Sequence, residues 1–373
     1  MNWSITRRRL LVLGLLALPL ALFVKPGPIW AAEQWAEVVK KAEKEGRVMI
    51  YSSANMGHFP PIRAAFNKKY PNIKVVTVLG PSVYYIRPLM ERRAGKYLVD
   101  LIIGSPSRLY RSLSRRAKIL EPVPPALMLP DVTDQSLWWR GKHTYIDPQG
   151  KYVFMFESSI YGAQLSYNTN LVDPTQFKSV WDILQPKWKG KFLAPDIVGI
   201  GGLNSVNFIY HHPEMGPEFL TKLYTEMEPT LYRNHSRAVD RMANGRFALC
   251  LACRRVPIAM EQGLPVNEIS PYQFKEKQGV GGGSGAIVRV NRAPNPNAAK
   301  VFLNWWLSRE GQITFRSANT MNPRKSSMRE DLPEDILPKI RRIKGKDYLF
   351  VNRHDKLSYK ALVKFAKGIQ KQK

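Results

Sequence analysis

The 373 residues are enough for two domains of ordinary size, each with its own apolar core. Apolar residues make up 44% of the chain, which excludes a disordered or fibrous protein. Lys and Arg number 57 and Asp and Glu 29, a net charge of +28. This excess is typical of an anionic, membrane-surface or nucleic-acid partner, or of a solvated basic surface. No basic motif interleaved with aromatic residues is present in the sequence, so we expect no nucleic-acid partner.

The first 32 residues have the order of an export signal. Arg7, Arg8 and Arg9 precede an apolar run over 10–24, and two alanines follow at 31 and 32. About fifteen apolar residues are too few to span a bilayer comfortably. The arginines and the leucines after them fit the twin-arginine address, and an ordinary basic n-region is the alternative. We predict a signal peptide over 1–32 and a periplasmic protein, with an uncleaved membrane anchor as the alternative.

Helix and strand patterns alternate after the signal. The strands are predicted from short β-branched or apolar runs, and the helices from amphipathic periods. In chain order the first elements are helix 33–45, strand 47–51, helix 62–70, strand 73–79, helix 84–94 and strand 99–103. An irregular connection over 121–150 precedes a second alternation, with strands at 192–193 and 247–251 and a long helix over 297–315. This order predicts an α/β protein of two lobes, each with a mainly parallel sheet flanked by helices.

Small and polar residues follow several of these strands. Ligands of open α/β sheets bind beyond the carboxyl ends of the strands, so these residues are the candidate site. They are Ser52, Ser53, Asn55, Ser105, Gly201, Gly202, Asn204, Arg254 and Arg255. Helix N-termini favour an anion and arginine adds paired donors for it, which predicts an anionic ligand. The alternative is that the serines and glycines are caps and turn residues and that the arginines lie at a solvated helix start.

Motifs of the common enzyme classes are missing from the sequence. It contains no His-Glu-x-x-His, no phosphate loop and no Gly-x-Ser-x-Gly, because Ala286 stands where the last glycine of that motif would follow Ser284. His211 and His212 are adjacent, so their side chains point apart on a helix or a strand. We therefore expect a protein that is not an enzyme and that carries no cofactor or metal.

Cys250 and Cys253 are the only cysteines, and three interpretations of them stay open. They are small buried apolar residues, a local disulfide, or a redox dithiol or half of a metal site. A zinc site needs four ligands, and no second pair with suitable spacing follows. An exported thiol-disulfide protein that uses Cys250 and Cys253 is the alternative function of another class.

Four stretches, in their order, resemble a known family. They are WAEVV through EGRV to YSS over 35–53, LSYNTN over 165–170, PKWKGK over 186–191, and NPNAAK continuing to NWWLS over 295–308. Together they are similar to the extracellular solute-binding proteins of ATP-driven importers, in the branch of ferric-iron, sulfate, thiamine and polyamine receptors. The resemblance covers about 35–323 of the chain.

The resemblance implies the type II periplasmic-binding-protein fold, in which hinge strands join two lobes around a ligand cleft. We expect the outward crossing near 161–168 and the return near 283–288, which adds Tyr161 and Ser284 to the candidate site. The N-terminal lobe would hold 33–164 and 287–373, and the C-terminal lobe 165–286. The implied function is capture of a small solute by hinge closure and its delivery, by a monomer, to an ABC permease in the inner membrane.

Ferric-iron receptors of this branch usually bind the metal with two adjacent tyrosines after a strand of the second lobe. The matching segment here, 250–255, has two arginines and no tyrosine. Guanidinium groups oppose a trivalent cation, so this departure favours an anionic organic or phosphorus-containing solute. A ferric-iron receptor that uses Tyr84, Tyr85 or Tyr161 is the alternative within the family. A basic protein that binds nucleic acid or the cell envelope is the third.

Overall fold

The computed structural model describes residues 28–53, 59–198, 204–283, 285–318, 325–351 and 360–370, without the side chains at 28–31, 204 and 370. The predicted signal up to residue 27 lies outside these ranges. So do four candidate site residues: Asn55, Gly201, Gly202 and Ser284. Helix α1 begins at Pro28, so residues 28–32 of the predicted signal are helical. Within the described ranges, no helix combines the length and the apolar character that crossing a bilayer requires.

The elements are numbered in chain order. The helices are α1 (Pro28–Glu45), α2 (Phe59–Lys69), α3 (Arg87–Arg93), α4 (Pro106–Arg108), α5 (Pro130–Thr133), α6 (Asn204–Tyr210), α7 (Gly216–Thr225), α8 (His235–Ala243), α9 (Val256–Glu261), α10 (Pro296–Leu307), α11 (Arg309–Ala318) and α12 (Lys360–Gln370). A π-helical segment, Leu109–Arg116, continues α4.

The strands are β1 (Arg47–Ser52), β2 (Lys74–Leu79), β3 (Leu101–Gly104), β4 (Leu120–Glu121), β5 (Phe154–Met155), β6 (Glu157–Tyr161), β7 (Leu165–Asn168), β8 (Phe192–Pro195), β9 (Thr230–Tyr232), β10 (Leu249–Leu251), β11 (Val266–Glu268), β12 (Gly279–Gly281), β13 (Ala286–Val290), β14 (Lys325–Ser327) and β15 (Leu349–Phe350).

The first sheet has the order β2-β1-β3-β13-β4, and β5 pairs with β13. Strands β1, β2 and β3 are parallel, as the alternating pattern predicts. The end of α1 and the start of β1 also match the prediction, because Gly46 stops the helix with φ +69°. Strand β13 returns to this sheet from a distant part of the chain, and it pairs antiparallel with β3. The sheet is therefore mixed rather than parallel throughout.

Helices α10 and α11 complete the first unit and pack on α1 and α2. Trp306 is fully buried, and its ring lies 5.0 Å from Phe315 and 5.3 Å from Phe156, centroid to centroid. The first core consists of buried residues from the segments 42–160 and 280–348. Burial of such aromatic rings supplies much of the free energy that holds these helices on the sheet.

The second sheet has the order β11-β7-β10-β8-β9. Strands β8, β9, β10 and β11 run in one direction, and β7 runs antiparallel between β10 and β11. The second core covers one face with buried residues from 161–274, and a smaller cluster that contains Cys250 and Cys253 covers the other. Two separate cores on two sheets agree with the predicted pair of α/β lobes.

A third sheet, β14-β6-β12-β15, joins the two units. Strand β6 leaves the first core at Ile160 and enters the second at Tyr161, and β12 returns antiparallel to it. The predicted crossings, near 161–168 and 283–288, are thus several residues too late. Those segments contain β7 and β13, which belong to the second and the first sheet.

The last helix also differs from the prediction. The whole segment 287–373 is expected in the N-terminal lobe, and α10 and α11 do lie on the first core. Helix α12, in contrast, packs against α7, and Leu362, Ala366 and Ile369 are part of the second core. The remaining lobe boundaries stay a prediction.

Candidate ligand-binding site

Three of the predicted serines follow the strands of the first sheet. Ser52 ends β1 opposite Ile103 of β3, so Ser53 and Ser105 leave the sheet at the same carboxyl edge. Ser52 and Ser53 are buried, and within the described ranges the Oγ atoms of both lack a hydrogen-bond partner. A buried hydroxyl without a partner costs about 1–3 kcal/mol, so this edge offers two donors that a ligand would satisfy.

The tyrosines of the ferric-iron alternative are divided between the two cores. Tyr84 is buried in the first, where its ring lies against Gly104 and a side chain at that position would overlap it. Burial raises the pKa of Tyr84, and nearby Arg108 acts in the opposite direction. Tyr161 is buried in the second core. A raised pKa disfavours the tyrosinate that ferric iron requires.

Tyr85 contacts a cation rather than a carboxylate. The Arg108 guanidinium lies 4.9 Å above its ring, and Nη1 of Arg108 donates to its hydroxyl at 3.1 Å. Throughout the described ranges, no three side chains of histidine, cysteine, aspartate or glutamate are grouped so that they could hold a metal ion.

Arg254 and Arg255 follow β10, at the carboxyl edge of the second sheet, and both side chains are exposed. Arg255 has φ +70° and precedes α9, and its Nη1 donates to Ser236 Oγ at 3.0 Å. The backbone N–H of Arg254 points to His235 Nδ1 at 3.4 Å. Asn204 begins α6. The structure thus places Arg254 and Arg255 at the expected edge, and the role of these candidates in binding stays a prediction.

The same edge carries an ion pair that the sequence analysis does not predict. Asp196 follows β8 and Arg233 follows β9, and Arg233 Nε donates to Asp196 Oδ2 at 2.8 Å. The strand-end rule would have selected both residues, but β9 has only three residues and shows no period. The carboxylate side chain is nearly buried, whereas the arginine is exposed.

Cys250 and Cys253 form a disulfide, one of the three interpretations left open. Both residues are buried, with exposed fractions of 0% and 2%. Catalytic thiols need an accessible sulfur with a depressed pKa, and a buried disulfide gives a protein substrate no approach. The pair instead braces the turn in which Ala252 has φ +54°, just before Arg254 and Arg255.

The structure also contains a buried cluster of charged side chains at the start of the crossing strands, which the sequence analysis does not predict. Glu157 begins β6, Arg316 lies on α11 and Lys325 begins β14. Lys325 Nζ is 3.1 Å from Glu157 Oε1, and Arg316 Nη1 is 4.0 Å from Glu157 Oε2. A signal was present in the sequence: Glu157 interrupts an apolar strand run, VFMFE. We name Glu157, Arg316 and Lys325 the hinge cluster.

Comparison with known proteins identifies the architecture. No protein-family model and no curated protein matches the chain. Among solved structures, ferric iron-binding protein A of Mannheimia haemolytica, in an open conformation, is 14% identical with a TM-score of 0.65; the match covers 87% of this chain and 98% of that one.

Two further structures are similar over the same extent. Trichodesmium IdiA (FutA), in complex with iron and citrate, is 19% identical with a TM-score of 0.60, covering 88% of this chain and 99% of that one. PotD of Streptococcus pneumoniae, a spermidine/putrescine ABC transporter substrate-binding protein, is 15% identical with a TM-score of 0.54, covering 87% and 98%. The chain therefore has the two-lobed fold of the periplasmic solute-binding proteins.

Proposed function

We propose that this protein is the solute-binding receptor of an ABC importer, which captures a small solute between its lobes and delivers it to a membrane permease. The observation that carries the proposal is the pair of separate cores joined by the antiparallel strands β6 and β12. Such a connection permits the hinge closure by which binding proteins enclose a ligand. The proteins of similar fold have names that describe transport and binding, not catalysis.

The preferred solute in this proposal is an anion. The net charge of +28 attracts anions over the whole surface. Two arginines at the carboxyl edge of the second sheet supply donors, and so do two hydroxyls at the carboxyl edge of the first, which have no partner among the described residues. The proposal further includes export to the periplasm, action as a monomer and the absence of enzymatic activity. Citrate, named together with iron in the Trichodesmium structure, is one anion to test.

Ferric iron is the competing ligand, because two of the three structures compared above are titled as binding iron. Loading the purified protein with ferric citrate distinguishes the two. A tyrosinate charge-transfer band that disappears in Tyr84→Phe, Tyr85→Phe or Tyr161→Phe would contradict the anion proposal. We expect no such band, since burial raises the pKa of Tyr84 and Arg108 binds the Tyr85 hydroxyl.

Native mass spectrometry of the protein as purified tests the receptor proposal. We expect a noncovalent adduct of a single small molecule that is lost at higher collision energy. The mass of the adduct identifies the solute, and the same solute should rebind after removal. A protein that carries no adduct and binds none of a panel of organic anions, phosphates, polyamines and ferric citrate would contradict the proposal.

Removal of the exposed arginine pair should weaken solute binding. Arg254→Ala and Arg255→Ala are each expected to lose about 1.5–3 kcal/mol of binding free energy, the value of a charged hydrogen bond. Arg246→Ala is the matched control, because Arg246 is exposed but precedes β10 and thus lies at the opposite edge of the sheet. Titration calorimetry with the co-purified solute measures all three. Equal affinities in the two variants and the control would assign Arg254 and Arg255 to the solvated surface.

A further inference from the structure

The hinge cluster contains a guanidinium group in which two of the three nitrogen atoms have no hydrogen-bond partner among the described residues. Arg316 is 3% exposed and Glu157 1%. Among the described residues, neither Nε nor Nη1 of Arg316 has a hydrogen-bond partner. Its one charged neighbour within 4.0 Å there is Glu157 Oε2, at that limit. A buried cation that lacks hydrogen bonds is costly, and proteins rarely keep one without a function.

Arg329 in the same protein shows what a structural arginine looks like. It is 2% exposed, and its Nε and Nη2 donate to the two carboxylate oxygens of Asp331 at 2.8 and 2.7 Å. Its Nη1 donates to the carbonyl oxygens of Asp131 and Leu307. Every nitrogen of that guanidinium has an acceptor. The contrast indicates that Arg316 does not serve mainly to hold the fold.

The charges of the cluster do not balance. Glu157 lies closer to Lys325, at 3.1 Å, than to Arg316, so one carboxylate faces two cations. Burial lowers the pKa of Arg316, and Glu157 acts in the opposite direction. Because a guanidinium stays protonated in proteins, the cluster carries a net positive charge near neutral pH.

The position of the cluster links it to the cleft between the lobes. The backbone N–H groups of Phe156 and Glu157 donate to the Gly285 oxygen, and Ala286 of β13 pairs with Gly104 at the carboxyl end of β3. A side chain at Gly283 would lie 3.5 Å from Ser159 Oγ and 3.6 Å from Lys325 Cε. The cluster is therefore at the edge where Ser105 leaves the first sheet, beside the strands that form the hinge.

We propose that Arg316 and Lys325 form an anion subsite in the floor of the cleft, which takes a carboxylate or phosphoryl group of the transported solute. The inference rests on the proposed receptor function and names the part of the solute that is recognised. The N–H groups at Nε and Nη1 lie on different edges of the guanidinium, and each is a charged donor that an oxygen of such a group would satisfy. Lys325 adds a point charge, and its side chain is 18% exposed.

The test compares Arg316→Met with the wild-type protein, with inorganic phosphate and citrate as the two probes. Both anions should raise the thermal midpoint of the wild type if the subsite takes any oxyanion, and citrate alone if it requires an organic carboxylate. In Arg316→Met the midpoint without anion should not fall, because a costly buried charge is removed. In this variant, the anion that stabilises the wild type should no longer raise the midpoint, and calorimetry should show at least tenfold weaker binding of that anion.

Arg309→Met is the matched control, because Arg309 begins the same helix and its side chain is 51% exposed. It should keep the full anion response, and Lys325→Met should weaken it less than Arg316→Met does. If Arg316→Met does not fold, Arg316→Lys keeps the charge and removes the guanidinium donors, and we expect a folded protein that binds the anion more weakly.

Two results would overturn the subsite. One is a wild-type protein that responds to neither probe, and the other is a full anion response in Arg316→Met or, where that variant does not fold, in Arg316→Lys. Scattering with the co-purified solute keeps this failure separate from failure of the receptor proposal. Closure on that solute together with a normal anion response in the variant would leave the receptor function in place and remove Arg316 from it.

Discussion

Replacement of Gly311 by alanine is expected to reduce the free energy of unfolding by about 2–3 kcal/mol, at the upper end for overpacking. A Cβ atom on Gly311 would overlap the carbonyl oxygen of Trp305 and lie 2.8 Å from its carbonyl carbon. These are backbone atoms at the end of α10, which cannot rotate away as a side chain does. The change therefore separates α11 from α10 next to the buried Trp306.

Gly368→Ala is the control for this substitution. Gly368 is exposed on α12, and an added Cβ would meet no atom within 4 Å among the described residues. Alanine has the higher helix propensity, so this variant should gain about 0.5–1 kcal/mol. Urea denaturation followed by circular dichroism measures both changes. Equal stability of the two variants would show that α10 and α11 do not approach each other as described.

Arg329→Met should destabilise the first unit by about 3–5 kcal/mol, the usual cost of breaking a buried ion pair. The variant leaves the Asp331 carboxylate without its two donors and the carbonyl oxygens of Asp131 and Leu307 without theirs. The guanidinium also lies 5.4 Å above the Trp138 ring, so the variant loses a cation–π contact as well.

Arg309→Met removes an arginine that contacts the same loop but is exposed. Arg309 Nε donates to the backbone oxygen of Asp331 at 2.9 Å. A surface substitution of this kind should change the free energy of unfolding by less than about 0.5 kcal/mol. Denaturation of both variants at neutral pH provides the measurement. A stability loss in Arg309→Met as large as in Arg329→Met would contradict the assignment of Arg329 as the residue that joins α5, α10 and the 329–331 segment.

The first half of the fold could be predicted from the sequence because its signals are local. Apolar runs indicate β1, β2 and β3, and Gly46 indicates the end of α1. The crossing strands are predicted several residues late. Their position depends on which residues pair across the hinge, as Tyr161 with Gly279 and Ile160 with Val280, and such distant pairing has no local pattern. Strands of two or three residues, such as β9 and β15, show no period at all.

The candidate site, too, is predictable only where its residues follow a local pattern. Strand ends are set by topology, so the rule for open sheets selects Ser52, Ser53 and Ser105 from the strand pattern alone. Arg316 could not be found in this manner, because an arginine on an amphipathic helix is normally exposed. It is buried because α11 turns that face to Glu157. This tertiary contact joins residues about 160 positions apart. Like the pairing of distant strands, it leaves no local pattern in the sequence.

Small-angle X-ray scattering with and without the co-purified solute is the most direct test of the central claim, that two lobes close on a small molecule. The stripped protein should have the larger radius of gyration, and addition of the solute should reduce it at a fixed molecular mass. Differences in stability between variants do not affect the result, since the comparison uses one unmodified protein. Identical scattering profiles at saturating solute, with binding confirmed by calorimetry, would contradict the account.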